Sequence, residues 1–108
     1  MVNRLLEKEN IPTPDIKSVS ILNATLEQNY PNPFNRSTTI SYNLPQTFSS
    51  AKIVVIDSSG RIFKQVPLST AGAGSITIEA GTLPVGVYHY SLYVDNVLAD
   101  TKKMVLTK

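Results

Sequence analysis

The chain has 108 residues, a net charge of +2 and no cysteine, which excludes a disulfide framework and a cysteine-based metal site. With 42% hydrophobic and 17% charged residues, it has the composition of one globular domain rather than of a disordered segment. Its basic residues are scattered, whereas a nucleic-acid binder usually concentrates them in a patch. No apolar run approaches the roughly 20 residues of a membrane-spanning helix. We therefore expect no nucleic-acid partner and no direct membrane insertion.

The N-terminal stretch divides into a short helical pattern and a linker. Val2 and Leu5 have helical spacing, but residues 1–10 are too few for a stable isolated helix. This segment is either a frayed terminus or the end of a coiled coil from an upstream region, which would give an oligomer through residues 1–10. It also lacks the apolar centre of a signal peptide, so it cannot start export by itself, and we expect the chain to be cut from a longer protein.

Two prolines then mark the boundary of the folded domain. Pro12 and Pro14 forbid helix and favour an extended, semi-rigid backbone. We predict that residues 1–16 form a tail and linker, and that residues 17–108 form a single domain.

The domain alternates short apolar segments with turn residues. The predicted strands, in chain order, are residues 18–28, 38–44, 51–57, 61–68, 75–79, 87–94 and 97–108. The sequences between them are rich in Pro, Gly, Asn, Asp and Ser, which favour turns. About seven strands, with no helix long enough for a parallel crossover, predict an all-β fold. The expected architecture is an immunoglobulin-like antiparallel β-sandwich.

The apolar pattern predicts which side chains face the core. Ile40, Tyr42 and Leu44 alternate with polar residues and are expected to point inward. Residues 51–57 are almost continuously apolar, which is typical of a central strand covered on both faces. Residues 69–74, rich in glycine and alanine, are expected to form a flexible loop.

No catalytic constellation is visible. His89 is the only histidine and is predicted to lie on the outer face of a strand, so the zinc sites built from several histidines are excluded. The G-x-S-x-G motif that surrounds a nucleophilic serine is absent, and the acidic residues form no evident acid/base pair. Tyr88, Tyr90 and Tyr93 either form a sugar-binding platform or pack within the sheet. We expect no enzyme activity, no metal and no cofactor.

Three segments resemble, in order, the motifs of the type A C-terminal sorting domains of the type IX secretion system, the export signals of cargo proteins in Bacteroidetes bacteria. The opening motif is similar to LEQNYPNPFNRSTTISYNLP at residues 26–45. The second is similar to VVIDSSGRIFKQV at residues 54–66, and the third to LPVGVYHYSLYVDNVLADTKKMVLTK at residues 83–108. Together they cover roughly residues 22–108.

The resemblance implies a set of motif residues that partners would recognise. They are Pro31, Asn32, Pro33, Phe34, Asp57, Gly60, Arg61, Leu83, Pro84, Gly86, Val87, Tyr88, Lys102 and Lys103. Arg36 departs from the family pattern, in which a small residue or proline is common, and its side chain is expected to face water.

The chemistry of these residues suggests how a turn would be read. Pro31 and Pro33 restrict the backbone, which lowers the entropy cost of binding the turn. We expect Phe34 to anchor this turn in the core while the turn itself is recognised. Lys102 and Lys103 are strand neighbours and point to opposite faces, so at least one should be exposed. The last strand is then either an edge protected by charge or a docking strand.

The resemblance also implies a function. An attached N-terminal cargo would reach the periplasm, and the folded domain would be recognised by the type IX translocon and its shuttle protein. A sortase-like peptidase would then remove the domain at the cell surface, where the cargo is released or joined to an anionic lipopolysaccharide. Residues 10–20 are the candidate cleavage region. Residues 1–16 are similar to the helix that closes some phage-tail-fibre-like chaperone domains.

Two other classes of function stay open. A small β-sandwich is also a common carbohydrate- or protein-binding accessory module, and the fold alone does not distinguish the two. An enzyme would require a cleft that brings two carboxylates together.

Overall fold

The computed structural model describes residues 23–81 and 83–108, so the predictions made for residues 1–22 lie outside the described part of the chain. Within the described ranges the chain forms seven strands and no helix. The strands are β1 Thr25–Leu26, β2 Ser37–Leu44, β3 Ala51–Asp57, β4 Ile62–Leu68, β5 Gly72–Glu79, β6 Gly86–Val94 and β7 Val97–Leu106.

The strands form two antiparallel sheets. One has the order β1-β2-β5, and the other has the order β4-β3-β6-β7. The apolar faces of the two sheets enclose one hydrophobic core. The prediction of an all-β sandwich with about seven strands is therefore confirmed.

Alternation along the strands explains the core. Every second residue of a strand faces the same side, and the buried positions follow this period in β2, β6 and the end of β7. The inward side chains with no measurable exposure are Ile40, Ile53, Val55, Tyr90, Leu92, Val94 and Met104.

The prediction that residues 51–57 are covered on both faces is wrong. The sandwich has only two layers, so the outer face of β3 meets solvent. On that face Val54 is buried, whereas Lys52 and Ile56 remain partly exposed. The apolar run of β3 reflects its central place in the four-stranded sheet rather than a third layer.

The prediction of a loop at residues 69–74 is wrong for its last three residues. β5 begins at Gly72, and Gly74 pairs with Tyr42 of β2. The ring of Tyr42 lies across Gly74, so that a Cβ added to this glycine would be 2.6 Å from the Tyr42 Oη. Glycine is present here because an aromatic ring occupies the space of a side chain.

The first predicted strand is also shorter than expected. Of its described residues only Thr25–Leu26 pair as β1. The ladder with β2 is interrupted at residues 27–29, where Asn29 is buried, and resumes only as an isolated bridge between Tyr30 and Thr39.

The two ends of the sandwich carry different parts of the chain. At one end Asp57 pairs with Tyr88, Gly86 pairs with Leu106, and Phe34 forms a bridge to Leu106. At the opposite end lie residues 45–50, residues 69–71 and the two-residue turn at Asp95 and Asn96. Because Thr25 pairs with Asn43, the chain upstream of β1 also enters at this opposite end.

Candidate recognition site

The turn that contains YPNPF is built around a buried asparagine. The Asn29 Nδ2 donates hydrogen bonds to the Thr38 Oγ1 at 3.0 Å and to the Pro31 carbonyl at 3.2 Å. The Thr38 hydroxyl donates to the same carbonyl at 2.7 Å. Both the Tyr30–Pro31 and the Asn32–Pro33 peptide bonds are cis. This network satisfies polar groups that would otherwise be costly to bury, and it fixes the turn from inside.

The same turn is bonded to the edge of the last strand. The Phe34 amide donates to the Val105 carbonyl at 3.0 Å, and the Thr107 amide donates to the Phe34 carbonyl at 2.8 Å. The Val105 amide donates to the Asn32 Oδ1 at 2.9 Å. The opening motif and the end of the third motif therefore form one hydrogen-bonded unit, although more than 70 residues separate them.

Within this unit the aromatic side chains face opposite ways. Phe34 is 2% exposed and packs in the core, whereas Tyr30 is 81% exposed. Pro31, Asn32 and Pro33 are also exposed. The turn thus has an internal anchor and an external surface.

The second motif forms a hairpin turn closed by its own aspartate. The Asp57 Oδ1 accepts hydrogen bonds from the Ser59 hydroxyl at 2.7 Å, the Ser59 amide at 2.9 Å and the Arg61 amide at 2.9 Å. These donors, the Ser59 hydroxyl foremost, hold the pKa of Asp57 below its usual value. Gly60 has φ +92°, which disfavours any side chain. Asp57 and Gly60 therefore shape this turn, while Arg61 contributes its backbone amide and an exposed side chain 3.8 Å from the Asp57 carboxylate.

The third motif begins with a turn that is tied to the core by a tyrosine. The Tyr88 hydroxyl donates to the Pro84 carbonyl, and burial raises the pKa of Tyr88. The Tyr88 ring meets Phe63 edge to face, with the ring centroids 5.6 Å apart. Leu83 is half-buried against the core, and Gly86 has φ +155°.

The two lysines near the end of the chain lie on an edge strand, since β7 ends the four-stranded sheet. Lys103 is exposed, while Lys102 is half-buried and forms an ion pair with Asp100 at 3.6 Å. The Gln28 side chain donates to the Lys103 carbonyl at 2.6 Å, next to the bonds made by Phe34. The opening turn therefore covers the end of this edge.

The structure contradicts the alternative of a tyrosine platform for sugars. Tyr88 and Tyr90 are buried on the inner face, and only Tyr93 reaches the outer face, beside the Lys52 ammonium. Burial raises the pKa of Tyr90 to about 12, so its hydroxyl stays protonated and donates to the Glu27 carbonyl at 2.7 Å. Tyr88 and Tyr90 pack the core, so the three rings do not form one stacking surface.

Exposed apolar side chains gather where the three motifs meet. We call this part of the molecule the motif end, which consists of residues 29–36, 57–62, 80–81, 83–87 and 105–108. Tyr30, Ile62, Val85 and Val87 lie here and are between 40 and 81% exposed. Leu98, which is 50% exposed, lies near the opposite end. Concentrated exposed apolar area is a usual sign of a contact surface.

Other parts of the described chain offer little chemistry. A shallow depression of about 500 Å³ on the outer face of the three-stranded sheet is lined mainly by small polar residues and by Glu27 and Tyr42. His89 is half-buried on the outer face of β6. Residues 23–81 and 83–108 contain no group of three or more metal-ligating side chains. They also contain no helix with the length and hydropathy to cross a membrane.

Sequence reasoning missed the polar residues that hold the opening turn. Gln28, Asn29 and Thr38 were not among the predicted motif residues, yet they bond the turn to itself and to β7. A signal for them was present in the sequence: Gln28 and Asn29, two side-chain amides, come just before the proline-rich turn. Such a turn leaves backbone carbonyls that need hydrogen-bond donors.

A rigid β-sandwich with its motif turns joined at one end, and with apolar side chains exposed there, has the character of a recognition domain. The chain belongs to the secretion system C-terminal sorting domain family, whose sequence profile matches residues 28–107. This family is the sorting signal of type IX secretion and is not a catalytic family. No curated protein matches the chain significantly.

Proposed function

We propose that this domain directs an attached upstream protein to the type IX translocon for export across the outer membrane, and that the translocon or its shuttle protein reads the folded motif end. One observation carries the proposal. Residues from all three motifs, which are far apart in sequence, meet at one end of the sandwich through backbone pairing. An unfolded signal would not need this arrangement.

The motif residues divide into those that hold the surface and those that form it. Phe34 and Tyr88 are buried, and Asp57 closes its own turn, so these residues support the shape. Pro31 and Pro33, together with the neighbouring Tyr30, remain exposed and are the candidates for direct contact. Because their backbone is restrained by bonds to β2 and β7, little entropy is lost when a partner binds.

The position of the upstream chain is consistent with this role. Residues 23 and 24, the first described residues, precede β1 at the end of the sandwich opposite the motif end. A cargo attached there leaves the motif end accessible to a partner.

The later steps are part of the same proposal. The precursor reaches the periplasm, the domain is read there, and a sortase-like peptidase removes it at the surface by cutting within residues 10–20. The cargo is then released outside the cell or retained on its surface. The domain needs no cofactor for this role because it acts by being bound.

Export of a reporter tests the proposal. A signal peptide and a fluorescent protein are placed before the full chain and expressed in a bacterium with a working type IX system, with a translocon-deletion strain as control. We expect fluorescence outside the wild-type cells only. Reporter held in the periplasm of both strains, with the domain folded, would overturn the sorting function and favour a binding module.

A matched pair of substitutions tests the role of the motif end. Val85→Ser and Leu98→Ser each remove an exposed apolar side chain, at opposite ends of the sandwich. We expect Val85→Ser to reduce export and Leu98→Ser to leave it unchanged, with both variants as stable as the original chain. Equal effects of the two changes would show that the motif end is not the surface that is read.

A further inference from the structure

The three-stranded sheet is one strand narrower than its partner, so one edge strand of the wider sheet is left with less cover. β1 lies close beside β7, where the two sheets meet, and Tyr90 of β6 bonds the carbonyl of Glu27 just after β1. With the orders β1-β2-β5 and β4-β3-β6-β7, β4 is the edge strand farthest from this meeting point, and β5 is the free edge on its side.

Burial shows that the middle of β4 has less cover than β3. In β3 the inward side chains of Ile53 and Val55 are fully buried. Their register partners in β4 point to the same side, yet Val66 is only half-buried and Lys64 is exposed, whereas Leu68 at the end of β4 is buried in the core. We call the space between this face of β4 and the free edge of β5 the strand slot.

The edge of β5 supplies hydrogen-bonding groups to the strand slot. The Ala80 amide donates to the Arg36 carbonyl, next to the start of β2. Every second residue of β5, counted back from Ala80, therefore points its amide and carbonyl toward β2. The alternate residues Ser75, Thr77 and Glu79 therefore point their amides and carbonyls into the slot. In the described part of the chain, none of these backbone groups has a hydrogen-bond partner.

The other long edges are protected, and the edge of β5 is not. β4 carries Pro67 and an irregular register with β3, and the end of β7 is covered by the opening turn. β5 has no proline and no bulge, and its only charge is Glu79 at its end. Proteins usually block such an edge, because it pairs readily with another strand.

We infer that the strand slot binds an extended segment of another protein, which adds a strand beside β5 over β4. Its alternate apolar side chains would cover Val66 and the half-buried Ile76. An acidic side chain among them would face Lys64, which has no acidic partner within the described residues. This site is separate from the motif end and does not depend on export.

A second copy of the chain does not fit this slot. Joining two β5 edges by a two-fold axis perpendicular to the sheet would bring together the β4 strands of the two copies, because β4 lies at the same side of the sandwich as the free edge of β5. A single extended segment avoids this collision, which is why another protein rather than a self-pair is the expected occupant.

Binding of a designed peptide to the full chain tests the inference. The probe is a fluorescent peptide of the length of β5 in which valine alternates with threonine and one central valine is replaced by glutamate. Methyl groups on alternate backbone nitrogens, those facing away from β5, prevent its self-association. The control peptide has the same composition but carries its methyl groups on the nitrogens that would face β5. We expect fluorescence anisotropy to show binding of the probe and none of the control.

Two chain variants locate the binding. Thr77→Pro removes an amide that faces the slot and is compatible with an edge strand, and Thr77→Val keeps that amide. We expect Thr77→Pro and Lys64→Glu each to weaken the probe by about fivefold or more, the effect of one lost hydrogen bond or a reversed charge. Thr77→Val should bind as the original chain does. Circular dichroism checks folding, and if Thr77→Pro does not fold, Lys64→Glu and the methylated peptides decide.

Four outcomes overturn the inference. One is equal binding of the two peptides, and another is probe binding that Lys64→Glu leaves unchanged. The third is no binding of the probe. This result would also be obtained if residues 1–22 of the same chain filled the strand slot, and the inference would then be wrong as well. A concentration-dependent dimer that is lost in Thr77→Pro would also overturn it, since a second copy would then be the occupant.

Discussion

Replacing Phe34 with alanine tests whether the opening turn is held by the core or only by its own backbone. Phe34 is 2% exposed, and its amide and carbonyl both bond the end of the chain. The substitution leaves those backbone bonds available and removes only the ring. Its effect on the free energy of unfolding therefore measures the packing of one side chain.

The expected loss is large for a domain of this size. Truncating a buried phenylalanine to alanine costs about 3–5 kcal/mol, because apolar contacts are lost and a cavity remains. For a domain of this size such a loss lowers Tm by roughly 12–40 °C. Phe34→Leu retains most of the apolar volume and should give an intermediate loss. Tyr30→Ala, in the same turn but 81% exposed, should change stability by no more than about 0.5 kcal/mol.

Urea unfolding followed by far-ultraviolet circular dichroism measures these differences directly. The m-value should be equal in the four proteins, so that the shift in midpoint reports stability alone. A loss below about 1 kcal/mol for Phe34→Ala, or an equal loss for Tyr30→Ala, would refute the reasoning. The turn would then be held by its proline backbone and polar bonds rather than by the core.

Three further substitutions address the other turns and the glycine of β5. Hydrogen bonds, the one from the Ser59 hydroxyl foremost, lower the pKa of Asp57 in the folded chain below its usual value. Its charge therefore stabilises the fold above the unfolded pKa, and this contribution is lost as pH falls through the folded pKa. Asp57→Asn should therefore be less stable at neutral pH, with a gap in urea midpoint that closes in acid; a gap independent of pH would contradict this. Asp95→Ala removes the acceptor of the Ser49 and Ser50 amides, at 2.6 and 3.0 Å, and should cost about 2–3 kcal/mol in the same assay. Gly74→Ala should cost about 1–3 kcal/mol by forcing the Tyr42 ring aside, and this penalty should vanish in a Tyr42→Ala background.

The fold was predictable because its signals are local. Alternation of apolar and polar residues gave β2 and β6 to within one residue of their observed starts, and Asp, Ser and Gly at residues 57–60 indicated the hairpin turn. The start of β5 was not predictable in this way. Gly72 and Gly74 favour a loop by composition, and only the ring of Tyr42 on the neighbouring strand explains a glycine there. That contact depends on pairing between distant residues, which a local pattern does not contain.

The candidate site was predictable as a set of motifs but not as an arrangement. Phe34 was expected to anchor the opening turn in the core, and it is buried; Tyr88 is buried too, which decides for packing over the sugar platform. The bonds from the opening turn to Val105 and Thr107 depend on which strand lies at the sheet edge, and sequence alone does not give the strand order. Tyr30 and Val85 likewise stand out only when their exposure is known.

The bonds between the opening turn and the last strand explain how the final residues of the chain would contribute to recognition without being contacted. Val105 and Thr107 hold Asn32 and Phe34 in place, so loss of the end of β7 would free the opening turn from one of its two supports. The other support, the network around Asn29 and Thr38, would remain. A shortened chain would therefore keep the residues of the opening motif while losing their fixed geometry. A partner that reads the folded motif end would then detect a missing C-terminus through the shape of a turn that lies more than 70 residues upstream.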